Sequence, residues 1–491
     1  MQKVFDNPSK LESLAKQKFG FPDFIMLENA ALSIKKLLLD LSSASNKQCL
    51  ILCGKGNNGG DGYALARLIY GEFEPLVFCL ELPAAPEAKK QYEICRKLGI
   101  KFISKTQLPE HIKNAGFIID CLYGTGFKGE LSPAVSKIIT AANNSKAIRI
   151  ACDIPTALAF NAHYTVTMGE QKLQLFSDKA KVVCGNIIVA SLGLDRTVFE
   201  NVIPASKVPA FLVTDNDIRL PLRKNKAAHK GTYGHTAVMT GEKSGAAIIC
   251  ATAAMNFGSG LTTLTKRPSS NLSQFKISPE LMISEPNSKK SAVIPAKTTC
   301  LVFGPGIEKI EQNDFETILT WFNNGKAKAP AAVFDAGVFG NPLFPDFLKA
   351  INKLPEARIV LTPHLLELLR LCQSLKLFAG LTVEELANNP QIKIKVGKKL
   401  NSLFPKTTIV IKSANTFIAS EGQTYIVTDG VPSLAKGGSG DVLAGMIAAL
   451  LAQGYSATEA AITACQTHAK AAKKYGEDAF SLTPAKILSS L

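Results

Sequence analysis

None of the eleven cysteines stands in a Cys-x-x-Cys pair. Most lie within apolar runs, as Cys49, Cys79 and Cys250 do. That spacing excludes a zinc ribbon and a disulfide framework and points to the reducing cytoplasm. No apolar run reaches the roughly 18–20 residues that span a bilayer, and the longest, 442–452, has the length of a core helix. The opening Met1-Gln2-Lys3-Val4-Phe5-Asp6-Asn7-Pro8 lacks the apolar core of a secretion signal. A cytoplasmic protein without a membrane partner is therefore expected. Internal repeats and low-complexity segments are also missing. The charge is unbalanced, with 56 Lys and Arg against 40 Asp and Glu and a net charge of +16. The basic residues are spread out, however, with only a modest cluster at Arg219, Arg223, Lys224, Lys226 and Lys230. No aromatic-interleaved basic motif accompanies them, so nucleic acid is not the expected partner. Attraction of polyanionic nucleotides, or a general basic bias, accounts for the charge more simply.

What is present is glycine in informative places. Gly437-Gly438-Ser439-Gly440-Asp441 runs into the apolar segment Val442 to Ala452. Glycines let backbone N–H groups crowd an anion, and a helix N-terminus adds a favourable dipole. A carboxylate repels phosphate, so Asp441 fits such a loop best as a base that takes a proton from a hydroxyl during phosphoryl transfer. The plain alternative is a glycine turn with Asp441 as helix N-cap.

With 491 residues, two domains are expected. In the first part, strands are predicted at Gln48 to Cys53, Pro75 to Leu80, Gly116 to Cys121 and Ala147 to Cys152. Helices are predicted at Ala64 to Tyr70 and Lys89 to Leu98. The alternation implies a parallel sheet with helices on both faces. Polar motifs follow three strands: the loop Gly54 to Gly62, Asp120 with Gly124-Thr125-Gly126, and Asp153-Ile154-Pro155-Thr156. The pattern breaks near Asn201 to Pro221, which places a boundary at about residue 210. Beyond it, strands are predicted at His235 to Thr240, Leu301 to Phe303, Ala331 to Phe334, Arg358 to Leu361 and Thr408 to Ile411. Each precedes a polar or glycine motif: Gly241 to Gly245, Gly304-Pro305-Gly306, Asp335-Ala336-Gly337, Thr362-Pro363-His364 and Lys412-Ser413-Ala414-Asn415-Thr416.

Several motifs admit two readings. Gly54-Lys55-Gly56-Asn57-Asn58-Gly59 contains Gly-x-Gly-x-x-Gly, and Glu81 ends the next strand, as in a nicotinamide dehydrogenase. Against that, the loop is unusually polar and no hydride-transfer substrate domain is evident. Asn57 and Asn58 also suit plain turn chemistry. Oxygens of Asn58, Asp120 and Thr156 could bind a hard cation such as potassium. His364 is structural or, at the edge shared with the other motifs, functional. Lys412 to Thr416 is a surface turn or flanks a nucleotide base and ribose. Gly304-Pro305-Gly306 needs only a tight turn.

Taken together, the chain resembles the bifunctional NAD(P)H-hydrate repair enzymes, in which an epimerase is fused to an ADP-dependent dehydratase. The most specific matches are Gly56-Asn57-Asn58-Gly59-Gly60-Asp61-Gly62 and Gly437-Gly438-Ser439-Gly440-Asp441-Val442-Leu443-Ala444-Gly445. Lys230-Gly231-Thr232-Tyr233-Gly234, Gly304-Pro305-Gly306, Thr362-Pro363-His364 with Glu367, and Ser278-Pro279-Glu280-Leu281-Met282 also match. The resemblance implies two α/β three-layer domains. Residues 1–210 would be a Rossmann-like doubly wound epimerase, and residues 222–491 a ribokinase-like dehydratase. The first would interconvert R and S hydrates of NADH and NADPH. The second would use ADP, with magnesium, to phosphorylate the S hydroxyl, and loss of phosphate would restore the cofactor. In the epimerase, Asn57, Asn58, Gly59, Gly60 and Asp61 with Gly124, Thr125, Gly126, Phe127, Lys128, Gly129 and Glu130 would hold the hydrate. Asp153 would be catalytic beside the nicotinamide, and Asn58, Asp120 and Thr156 would bind potassium. In the dehydratase, Gly245, Ala246, Gly306 and His364 would line the hydrate site with the catalytic Asp441. Lys412, Ser413, Ala414, Asn415 and Thr416 with Gly437, Gly438, Ser439 and Gly440 would bind the nucleotide. A homo-oligomer is expected. The chain departs from the family in three places. Pro155-Thr156-Ala157-Leu158-Ala159 replaces the usual Pro-Ser-Gly-Leu-Asp, Gly241 to Ala246 is shortened, and Asp335-Ala336-Gly337 lacks a second acid. The competing classes are a ribokinase-like small-molecule kinase, and a protein whose first domain only binds or scaffolds.

Overall fold

The computed structural model describes residues 1–42, 47–286, 292–327 and 329–491. They form two compact units, one of Lys3–Pro209 and one of Ala210–Leu491 with Met1 and Gln2.

In the first unit every strand of the seven-stranded sheet is parallel to its neighbours. Across the sheet the order is Lys101–Phe102, Glu74–Cys79, Gln48–Cys53, Phe117–Cys121, Ile148–Cys152, Tyr164–Met168 and Asn186–Ala190. In chain order that is third, second, first, fourth and onward, the Rossmann arrangement. Its ligand crevice opens between the first and fourth strands, where the connections leave in opposite directions. The strands are apolar end to end because helices cover both faces; Leu50 to Cys53 and Ile118 to Cys121 are wholly buried. Beside this sheet, Gln2–Phe5 pairs in parallel with Gln171–Lys172, which seals the latter from water.

The second unit repeats the reversal. Its sheet runs Met282–Ser284, Leu261–Thr265, His235–Met239, Cys300–Phe303, Ala331–Phe334, Arg358–Leu361 and Thr407–Ile411. All these strands are parallel. The antiparallel strands Thr416–Ser420 and Gln423–Val427 follow, then Ala210–Leu212. The crevice therefore opens between His235–Met239 and Cys300–Phe303. The helix Ser439–Ala452 is buried along nearly its whole length. Full burial of each of its Leu and Ile side chains contributes about 1.5–3 kcal/mol. Both units have the α/β layering expected of a Rossmann-like domain followed by a ribokinase-like one. No helix among the described residues is long and apolar enough to cross a membrane.

The strands lie where the apolar runs put them, but one helix does not. The helix expected from Ala64 begins at Asn57 and runs to Ile69. Most of the expected loop Gly54 to Gly62 is thus helix, and only Gly54 to Gly56 is loop. Glycine disfavours helix by about 1 kcal/mol each, yet packing demands it here. A methyl group on Gly59 would fall 1.9 Å from the Gly54 carbonyl oxygen.

Candidate functional site

Two groups of side chains gather at the C-terminal edges of the two sheets. In the first unit, Asp120 ends its strand with its side chain buried. Its carboxylate accepts hydrogen bonds from the Thr156 N–H (2.8 Å), the Thr156 hydroxyl (2.7 Å) and the Leu122 N–H (3.2 Å). Burial raises its pKa to about 6 despite these donors. The Thr156 hydroxyl also accepts from the Tyr123 N–H at 3.1 Å. Thr156 opens a short turn in which Ala157 takes φ 52° and Leu158 φ 50°. Alanine therefore holds a left-handed conformation that glycine adopts more readily, at a cost of roughly 1–2 kcal/mol. The altered loop still delivers the threonine oxygen to Asp120.

Asn58, in the first turn of the helix Asn57–Ile69, has both amide atoms shielded from water and without a partner among the described residues. It faces Gly124, where an added methyl would lie 3.6 Å from Asn58 Cγ and 2.8 Å from Asp153 Oδ2. Asp153, at φ 73°, accepts from the Thr125 N–H at 3.3 Å and the Met168 N–H at 3.4 Å. It also pairs with the ammonium of Lys172. Glu170 lies 3.8 Å from the same ammonium, wholly buried, with neither carboxyl oxygen hydrogen-bonded. Burial lifts its pKa to about 8. Burial and then the charge of Asp153 push Asp61 well above the carboxylate range, and the Cys152 thiol donates to it at 3.7 Å. Burial also raises Glu12. For Lys172 burial favours the neutral amine, but Asp153 and Glu170 outweigh it and hold the ammonium charged. Asn58, Asp61, Gly124, Thr125 and Asp153 thus come together. Asn57 is exposed in the same turn, where the N–H groups of Asn57, Asn58 and Gly59 point out of the helix N-terminus. Gly59 and Gly60 are buried in the helix. Phe127 stacks on Tyr123 at 4.6 Å, while Gly126 and Lys128 to Glu130 are exposed on the loop. Sequence reasoning missed Lys172, Glu170 and Glu12, since nothing in a short charged stretch signals burial.

In the second unit, Lys412 follows the strand Thr407–Ile411, and its N–H donates to the Pro363 carbonyl at 2.9 Å. Its ammonium lies 2.8 Å from Asp335 Oδ1. A methyl on Gly440 would be 3.5 Å from that nitrogen and 3.9 Å from Asp335 Oδ2. Asp441 joins them. Burial and then the charge of Asp335 raise its pKa to about 7, opposed by Lys412. The helix starts after Gly438 at φ 89°, so Asp441 is its third residue and not its N-cap. This overturns the plain alternative for Asp441. Ser439 is buried, its hydroxyl 3.4 Å from His468 Nε2, and burial lowers the pKa of that histidine to about 4.

His364 does cap a helix, Leu365–Ser374. Its Nδ1 accepts from the Glu367 N–H at 3.3 Å, and Glu367 Oε2 accepts from the His364 N–H at 2.8 Å. His364 is thus a helix cap, while its ring remains half exposed beside Lys412. Burial lifts Glu367 to about 7. Gly306, at φ 68°, is pressed against the shortened loop, where an added methyl would lie 2.1 Å from the Lys243 carbonyl oxygen and 3.2 Å from Ala246 Cβ. Gly245 faces Phe275. Ser413, Ala414 and Asn415 form the turn into the strand Thr416–Ser420; the Ser413 hydroxyl donates to the Asn415 carbonyl at 2.8 Å. Lys412 is the residue of that segment shown against Gly440. Gly437 is exposed with open space beside it. Asp335 and Glu367 complete the cluster, and only their positions after predicted strands hinted at it.

Comparison with known proteins now bears on these two sites. Residues 236–491 match the model of the NAD(P)H-hydrate dehydratase family, and residues 23–173 that of the YjeF-related protein N-terminus. The chain is 34% identical to the bifunctional NAD(P)H-hydrate repair enzyme Nnr of Helicobacter pylori, over 100% of this chain and 99% of that one. The chain belongs to the bifunctional NAD(P)H-hydrate repair enzyme family. The Nnr protein of Coxiella burnetii is 30% identical over 96% of this chain and 93% of its own length. Among solved structures, the chain is similar to an ADP/ATP-dependent NAD(P)H-hydrate dehydratase from Bacillus subtilis co-crystallised with ATP and Mg2+. That likeness is 23% identity and a TM-score of 0.41, over 55% of this chain and 91% of that one, too weak to carry an argument. Membership of the repair-enzyme family gives the chain both an epimerase and a dehydratase domain, and it disfavours the dehydrogenase reading of the Gly-x-Gly-x-x-Gly loop.

The buried acids of the first site depend on one cation. Lys172→Met leaves Asp153 and Glu170 without it, and stability should fall by about 3–5 kcal/mol. Urea unfolding of the full chain, followed by circular dichroism, checks this. An unchanged first transition would show that the pair with Lys172 does not hold the site.

Proposed function

We propose that this chain restores hydrated nicotinamide cofactors in two steps, one in each unit. Residues 1–210 interconvert the R and S hydrates of NADH and NADPH, and residues 222–491 dehydrate the S form with ADP. The observation that carries the reading is the convergence of Asp441, Asp335 and Lys412 at the mouth of a glycine-led helix N-terminus. A base, a cation and free N–H groups are what transfer of a phosphoryl group to a substrate hydroxyl needs. Asp441 takes the hydroxyl proton as the oxygen bonds to the β-phosphorus of ADP and the bond to AMP breaks. The N–H groups of Gly440 and Asp441 hold the phosphoryl oxygens, and Lys412 offsets their charge. Gly245, Ala246, Gly306 and His364 face the ring of the hydrate. Gly437, Gly438 and Ser439 approach the nucleotide phosphates, while Ser413, Ala414, Asn415 and Thr416 lie towards its AMP part. Magnesium, when bound, shields the phosphate charge. Departure of phosphate with the ring proton leaves NADH or NADPH. A small-molecule kinase would keep the phosphate on its product.

At the first site, Asn57 to Asp61 and Gly124 to Glu130 flank the dinucleotide phosphates. Asp153, paired with Lys172, exchanges a proton beside the nicotinamide. Asp120, Thr156 and Asn58 fit potassium. Their donors are one carboxylate and neutral oxygens, the Asn58 amide is buried without a partner, and such oxygen sets suit hard cations. Potassium there would neutralise Asp120 and fix the turn at Thr156.

Four results test this reading. With S hydrate and ADP, the chain should regenerate 340 nm absorbance of the reduced nicotinamide, a wavelength set by the cofactor, and release free phosphate. Asp441→Asn keeps the side-chain size but cannot take the proton, so the rate should drop about 100- to 10,000-fold. Near-normal dehydration by this variant would remove Asp441 as the base. The base form of Asp441 grows as pH rises through about 7, so kcat/KM for dehydration should climb and level off above that pH. Asp335→Asn removes a negative neighbour and should move the midpoint to lower pH; a midpoint unmoved would assign the titration elsewhere. For potassium, replacing sodium with potassium should raise the melting temperature of the first unit and lose that effect in Asp120→Asn. Equal melting in both salts would remove the cation from the site.

A further inference from the structure

A cleft of about 700 Å3 opens beside the dehydratase cluster, between the loop Glu308-Lys309-Ile310, the turn from Gly337 to Pro342, and Arg370, Gln373 and Ser374. None of the residues so far given a role lines it, and its volume is that of a small-molecule site. It is nonetheless continuous with the hydrate-facing residues on two sides. Gly306 lies two residues before Glu308 on one connection. On the other side, Arg370 follows His364 and Glu367 along the helix Leu365–Ser374 and is close enough to act electrostatically on both. From His364 to Arg370 the helix advances about 9 Å. This is comparable to the reach of the ribose that joins a nicotinamide ring to its diphosphate.

The charges in the cleft are not self-compensating. Its one carboxylate, Glu308, is engaged by Lys243 at 2.7 Å. Among the described residues neither Lys309 nor Arg370 forms a close ion pair with a carboxylate, Arg370 acting on Glu367 only from a distance, and both are exposed. The Arg370 side chain lies across Gly340, where an added methyl would be 3.7 Å from Arg370 Cδ. Gly337 and Gly340 leave part of the opposite wall as bare backbone, beside Asn341 and Pro342. A planar guanidinium over a bare backbone wall favours a phosphate oxygen pair. ADP has its own candidate place at the glycine-led helix N-terminus and Lys412, none of whose residues lines the cleft.

We propose that this cleft receives the phosphate-bearing arm of the dinucleotide hydrate, with Arg370 as the residue that binds its anionic group. The inference rests on the dehydratase reading above. The anion is the diphosphate common to both hydrates or the 2′-phosphate of the NADPH form, and kinetics separate the two.

The test is steady-state dehydration by the full chain and by Arg370→Gln, varying S-NADH hydrate, S-NADPH hydrate and ADP in turn. Loss of a charge-assisted hydrogen bond should raise the hydrate KM about 10-fold. kcat should change much less, and the KM for ADP should stay near wild type. A rise for both hydrates places the diphosphate at Arg370, and a rise for NADPH hydrate alone places the 2′-phosphate there. Arg370→Lys, which keeps the charge but loses the planar fork, should recover only part of the loss. Unchanged KM for both hydrates, or a rise in the KM for ADP instead, overturns the proposal. If the wild-type chain dehydrates neither hydrate, it is the dehydratase reading that fails. If it dehydrates both and Arg370→Gln matches it, only the cleft assignment fails.

Discussion

Strand-order reversal is the constraint on which both sites depend. A right-handed connection from the first strand covers one face of the sheet, and the connection to the fourth covers the other. Between them the C-terminal ends of two adjacent strands are left uncovered, and the chain must fill that opening with loops. In the first unit the opening lies between Gln48–Cys53 and Phe117–Cys121, and it receives Asn58, Gly124 and Asp120. In the second it lies between His235–Met239 and Cys300–Phe303, and it receives the loops of Gly245 and Gly306. Helices that start at such an edge point their free N–H groups into the opening, so each site has an anion-binding helix terminus by construction.

A second constraint follows from the first. Loops that close over the opening bury carboxylates, and a buried carboxylate is stable only if protonated, hydrogen-bonded or paired. Each unit answers with one lysine set among several acids. Lys172 serves Asp153 and Glu170, while Asp61 and Glu12 are held towards their neutral forms. Lys412 serves Asp335 and offsets Asp441 and Glu367. Having fewer cations than acids keeps carboxyl groups near Asp441 close to the pH at which they exchange protons. A fully paired cluster would be more rigid and less useful as a base.

The same physics sets what could be read from the sequence. Strands were legible because a strand covered on both faces must be apolar throughout, as Gln48–Cys53 and Ala331–Phe334 are. The glycine motifs were legible as strand-end features for the same reason. Where the helix after Gly56 begins was not, because three glycines and two asparagines read locally as loop, and tertiary packing overrides that preference. Asp441 was legible as a charge out of place beside a glycine loop. Lys172 and Glu170 were not, since a short polar stretch ordinarily lies at the surface. The pairing of Gln171–Lys172 with Gln2–Phe5, distant in sequence, helps to bury it.

Ala157 shows which of these features the chain maintains under strain. Glycine would relax the left-handed turn, and alanine there costs stability. A drifting loop would have relaxed to an ordinary backbone and released the Thr156 hydroxyl. Instead φ stays at 52° and the hydroxyl remains 2.7 Å from Asp120. The three donors on Asp120 explain how. Losing the Thr156 turn would leave a buried carboxylate short of two hydrogen bonds, a penalty of roughly 1–3 kcal/mol or more, at least as large as the strain. The turn is therefore held from the carboxylate side, and the loop sequence can vary as long as an oxygen stands at position 156.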